Sequence, residues 1–157
     1  MKYLVSNQSR GFFWQTNYSQ VVNPADFGLP TSFDTVLFGF PTTININNIT
    51  ISGTIVNTID SLIGTMNVEG KSYSNVVKVK TDIQNLEINV SYTPSIFPIQ
   101  VITTINQQDI RSYYSPKFGE ILRDYKLNIT ASVPSINLTR NIIDADRRTT
   151  LISSNIQ

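Results

Sequence analysis

Alternation with a period of two runs through most of this chain and leaves little choice of fold. Ile49, Ile51, Gly53 and Ile55 alternate with Thr50, Ser52 and Thr54, and Val77, Val79 and Ile83 share a face opposite Lys78, Lys80 and Asp82. Leu86, Ile88, Val90 and Tyr92 then alternate with Glu87, Asn89 and Ser91. Successive side chains of a strand point to opposite faces, so the pattern is that of strands with one face buried and one wet. Antiparallel pairing follows, because parallel strands covered on both faces read as unbroken apolar runs. The same reading predicts strands at 12–22, 35–40, 62–68, 99–105, 110–114 and 120–133. Between them stands turn chemistry: Asn23-Pro24, Gly28-Leu29-Pro30, Pro41, Glu69-Gly70, Thr93-Pro94 and Ser115-Pro116. Segment 138–147 is the one candidate for a short helix. With no repeat and no Gly/Ser linker, residues 1–157 are expected to form a single all-β domain. Its expected form is an antiparallel meander making a curved sheet, half-barrel or sandwich, with at most one or two short helices.

The chemistry open to such a domain is narrow. The chain has no cysteine and no histidine, which removes disulfides, thiolate nucleophiles, imidazole acid/base work and the usual zinc ligands. Its net charge is +1, and Arg147-Arg148 is the only adjacent basic pair, so nothing builds a field for a phosphate backbone. Nucleic acid is not an expected partner. Charged residues make up 15% of the chain, and the polar surface must come largely from 16 Asn, 16 Ser and 17 Thr. Of the six Asn-x-Ser/Thr sequons, at Asn7, Asn17, Asn48, Asn89, Asn128 and Asn137, roughly half are expected by chance in so rich a composition, and glycosylation is not expected. No apolar run approaches the roughly 18 residues of a membrane helix, and Met1 to Ser6 has no signal-peptide core.

Catalytic motifs are missing as well. The 11 acidic residues stand mostly alone on wet faces, and Asp144 with Asp146 lacks the third ligand of a hard-cation loop. Gly70-Lys71-Ser72 ends like a phosphate loop, yet an alternating strand follows it where a helix is needed, so it reads as a hairpin turn. No enzyme, metal or cofactor is expected. The aromatic cluster Phe12, Phe13, Trp14 and Tyr18 could stack on a sugar, although aromatic strands more often pack a core, as is also expected for Phe33, Phe38 and Phe40.

Residues 113–125, YYSPKFGEILRDY, gather aromatics and charges that are sparse elsewhere. Tyr113 and Tyr114 end a strand, 115–119 reverses the chain around Pro116 and Gly119, and Glu120 starts the next strand. On that strand Ile121, Tyr125, Leu127, Ile129, Ala131 and Val133 share a face, and Arg123 falls among them. A guanidinium there has to reach solvent at the strand end, find a buried acid, or line a cavity open to a ligand.

The run GTMNVEGKSYSNVVKVKTDI at 64–83, followed further on by YYSPKFGEILRDY, resembles a pattern in small bacterial envelope lipoproteins of uncharacterised function. The matching positions are Gly70, Tyr73, Asn75, Val76, Val77, Lys78, Tyr113, Tyr114, Pro116 and Gly119. Those proteins look like relatives of the periplasmic lipoprotein-carrier half-barrels, whose curved sheet holds acyl chains on its concave face. The resemblance implies a non-enzymatic protein of the bacterial envelope, periplasmic or surface-exposed, that binds or carries a lipid or acyl chain. Arg123, Tyr113, Tyr114, Tyr125, Leu127 and Ile129 are its expected ligand-binding residues. The lipid-attachment cysteine of such proteins is missing, so a leader and anchor would have to precede Met1. Two other readings stay open: an adhesin-like or assembly module whose polar faces meet another envelope protein or a glycan, and an accessory domain of a larger secreted protein.

Overall fold

The computed structural model describes residues 9–27, 30–95, 99–134 and 137–150; Met1 to Ser6, the Asn7 sequon and Gly28-Leu29 lie outside them. Seven strands form one antiparallel sheet: β1 (Phe13–Val22), β2 (Ser32–Leu37), β3 (Phe40–Val68), β4 (Lys71–Thr93), β5 (Ile102–Ser115), β6 (Gly119–Val133) and β7 (Leu138–Thr150). A 3₁₀ turn at Pro24–Phe27 joins β1 to β2. The order is β1-β3-β4-β5-β6-β7, and β2 pairs with β3 beside β1. The sheet is open, with β1 and β7 at its two edges.

Its spine is the β3–β4 hairpin, with strands of 29 and 23 residues where 3–10 is usual. Glu69 and Gly70, both with positive φ, close it with the two-residue turn that matches strand twist, as Val68 pairs with Lys71. Strands this long stay paired by bending at bulges, each of which adds a residue to one strand and increases its twist. On β3 the extra residues are Asn47 and Asp60, while on β4 one falls at Asn85-Leu86, opposite Gly53. Asn85 takes φ +51, a conformation asparagine tolerates far better than most side chains. Tyr18 of β1 pairs with Gly53 and lies over it, so a methyl group there would meet the Tyr18 hydroxyl at 3.0 Å.

Several predicted segments come out differently. Segment 138–147 is strand β7, because Ile142 is the extra residue of a bulge and places Ile142 beside Ile143; the broken alternation mimics a helical spacing from Leu138. Segment 35–40 contains a reversal: β2 ends at Leu37, and Phe38 and Gly39, at φ +52 and +86, turn the chain into β3. The separate segments 49–55 and 62–68 are parts of one strand, held in register by the Asp60 bulge.

Three apolar clusters make the core. Val68, Tyr73, Val76, Ile121 and Leu122 pack at the tip of the long hairpin. Ile59, Val77 and Val79 pack with Trp14 and Tyr114, and Ile110, Leu127 and Ile129 pack with Ile83, Leu86, Tyr125, Ile142 and Ile143. Directly paired residues share a face. The ladders Val79–Ser112–Arg123 and Thr81–Ile110–Tyr125 therefore put the second and third clusters on one face of the sheet. Lys78–Tyr113–Leu122 puts the first on the other.

Candidate functional site

The ladder between β4 and β5 is short. It runs from Val77–Tyr114 to Thr81–Ile110 and stops, although both strands continue. Beyond it the Ile83 N–H has no strand to bond, and the Gln108 side chain takes that place: its Oε1 accepts from Ile83 at 2.8 Å while its Nε2 donates to Asp82 at 3.2 Å. Further out the Thr103 hydroxyl donates to the Leu86 carbonyl at 2.7 Å. Side chains thus replace backbone where the sheet divides, leaving β1–β4 on one side and β5–β7 on the other.

Between the parted halves lies an apolar cavity of about 340 Å³. Ile46, Ile49 and Ile51 of β3 and Ile88 and Val90 of β4 form one wall, and Ala131, Val133, Leu138 and Ile142 of β6 and β7 form the other. Phe33 and Pro30 close one side, while Ile99 and Val101 close another from the β4–β5 connection, where the Ile99 N–H donates to the Tyr92 hydroxyl at 3.1 Å. Among the described residues that line it, Arg140 alone is polar. A larger hollow of about 680 Å³ shares Ile88, Ile99 and Val101 with it, but its other walls include Glu87, Asn89, Gln100 and Thr103. Small-molecule sites are mostly apolar with few polar groups, and the smaller cavity has that character.

The six residues expected to bind ligand do not line this cavity. Leu127 and Ile129 are each 2% exposed and belong to the core, with Tyr125 packed against them. Tyr113 and Tyr114 project to opposite faces and pack in different clusters. Their strand pairing nevertheless positions the cavity, since the face that carries Tyr125, Leu127 and Ile129 continues outward into Ala131 and Val133. Ile121, expected on that same face, packs instead with Leu122 in the cluster at the hairpin tip.

Arg123 is held by its own strand. Residues three apart on a regular strand point to opposite faces, but Ile121 is the extra residue of a bulge and resets the count. Glu120 therefore sits beside Arg123, and two parallel bonds of 2.7 Å join the guanidinium to the carboxylate; Nε also reaches the Ser112 hydroxyl at 3.3 Å. Hydrogen bonding to Glu120 holds the Arg123 guanidinium above its ordinary pKa, against the opposing effect of burial. The turn before it is the expected one. Phe118 N–H bonds the Ser115 carbonyl at 3.2 Å, Gly119 takes φ +76, and the Phe118 ring meets Tyr73 edge-on at 5.3 Å.

The other aromatics divide. Trp14 packs on the second cluster with Phe12 at 6.3 Å, and Phe33 faces the cavity. Phe38 and Phe40, expected in a core, are 83% and 72% exposed at the tip of the β2–β3 hairpin. Asp146, weighed as a cation ligand, pairs with Lys126 at 2.9 Å. No helix among the described residues is long and apolar enough to cross a membrane. Comparison with protein-family models, with curated proteins and with solved structures finds no match for this chain.

Proposed function

We propose that this protein binds an acyl chain or similar apolar ligand in the cavity between the parted halves of its sheet, as a non-enzymatic carrier or receptor of the bacterial envelope. The observation that carries the reading is the apolar cavity itself: its volume falls within the roughly 300–1,000 Å³ of ligand sites, and its walls leave isoleucine and valine side chains half-exposed. Apolar surface of this kind gains by being covered, at about 25 cal/mol for each Å² removed from water.

Filling the cavity from within tests the proposal. Ala131 lines the wall and is not part of the buried core, so Ala131→Trp is expected to leave the fold intact while lowering uptake of a fluorescent fatty acid at least tenfold. Undiminished uptake by a folded variant would sink the cavity as the site. Val36, Phe38 and Phe40, 65%, 83% and 72% exposed at one hairpin tip, favour the second reading, a surface that meets another envelope protein.

A further inference from the structure

We infer that the cavity takes a single-chain amphiphile with an anionic head, and that Arg140 is the residue that binds the head. The inference rests on the cavity being the ligand site. Arg140 pairs across β7 and β6 with Ala131, so its stem lies on the cavity wall beside the smallest side chain of the lining. The residue is exposed to solvent and also lines the cavity.

What sets it apart from Arg123 is the lack of an acidic partner among the described residues. Six ion pairs join the described residues, and Arg140 is in none of them. It makes no side-chain hydrogen bond to another described residue either. Arg123 lies on the same face of the sheet and shows the alternative, since its fork is filled by Glu120. Alternation explains the difference. The neighbours of Arg140 on its own face are Leu138, Ala131 and the bulged Ile142, all apolar, while the acids of β7 lie beyond the bulge at Asp144 and Asp146.

A planar guanidinium offers two parallel donors, which suit a carboxylate or phosphate head better than a hydroxyl. The cavity limits the tail. At about 340 Å³ it stands at the small end of the roughly 300–1,000 Å³ of ligand sites, which suits a single chain.

The test compares heads on one tail. Binding of dodecanoate and of dodecanol, both below micelle formation, is measured by displacement of a fluorescent probe from the wild-type protein and from Arg140→Gln. The expected result is dodecanoate about tenfold tighter than dodecanol in the wild type, with Arg140→Gln removing that difference and leaving dodecanol unchanged; tenfold is ~1.4 kcal/mol. Equal affinity for the two heads in the wild type, or a preference that survives Arg140→Gln, overturns the assignment of Arg140 while leaving the cavity in place. Failure of either chain to displace the probe overturns the cavity as the site, and the inference with it.

Discussion

The two ends of the sheet are made of the same kinds of strand and behave differently. At the end bearing the β3–β4 and β5–β6 turns, the β4–β5 ladder is intact, Ile121 and Leu122 are 0% and 1% exposed, and Arg123 on the inner face is paired with an acid. At the other end the ladder has stopped, the isoleucines and valines that face each other across β4 and β6 are only half-buried, and Arg140 on that face has no acidic partner among the described residues. The difference lies less in composition than in hydrogen bonding. An apolar face can be left uncovered only where the backbone beneath it is still satisfied, and here β3–β4 and β5–β6–β7 remain paired within their own halves.

Truncating one large side chain at each end separates the two most sharply. Leu122→Ala removes a side chain packed on all sides at the closed end and is expected to cost about 2–5 kcal/mol. Ile88→Ala at the open end removes three carbons of a half-exposed side chain and is expected to cost about 1 kcal/mol, near half of what three methylenes at ~0.8 kcal/mol each would contribute if fully buried. Urea unfolding of both variants measures this. Similar costs at the two sites would mean that the open end is as well packed as the closed one, and would remove the reason for seating a ligand there.

Gln108 stands between the two ends and should have an intermediate effect. Gln108→Ala leaves the half-buried Ile83 N–H without its acceptor and Asp82 with Lys80 as its remaining donor, at an expected cost of about 1–3 kcal/mol. Amide exchange should localise the loss, with Ile83 deprotected in the variant and the Val77–Thr81 ladder unchanged. Deprotection spreading through that ladder would show that the division of the sheet is not set locally by this side chain.

Much of the closed end was legible in the sequence. The turn at 115–119 has its proline and glycine at the positions a short reversal requires, and period-two alternation placed β1 and β6 within a residue or two. The bulges were the obstacle. Each one changes the parity of a strand, and parity decides which face a side chain joins. The bulge at Ile121 put Glu120 against Arg123, which strict alternation places on opposite faces, and the one at Ile142 made a strand look helical. One bulge did leave a trace: the apolar positions of β4 change from odd (Val77, Val79, Ile83) to even (Leu86, Ile88, Val90) across Asn85. The cavity left none. Where a ladder stops depends on how far β4 and β5 twist apart, and an alternating strand has the same sequence whether or not its neighbour stays.

The smallest expected effect is electrostatic and belongs to the closed end. Asp60 is the extra residue of a bulge in β3 and is joined to Lys78 at 2.5 Å. Chiefly through the Lys78 hydrogen bond, its carboxyl titrates below the usual aspartate range. A carboxylate with a lowered folded-state pKa adds stability above its unfolded value, near ~3.9, and that stability disappears as the pH falls through the folded value. Because the Asp60 side chain is 38% exposed, screening limits the gain to no more than about 1 kcal/mol. The difference in unfolding free energy between wild type and Asp60→Asn should therefore be constant above about pH 5 and shrink as the pH falls below ~3.9 and through the lowered folded value, and it should be smaller in high salt. No acid lines the cavity at the open end among the described residues, so fatty-alcohol binding should hold steady over the pH range in which the Asp60 contribution is lost. A parallel loss of both would mean that the two ends unfold as one unit, and that the difference between them is one of packing and not of independent stability.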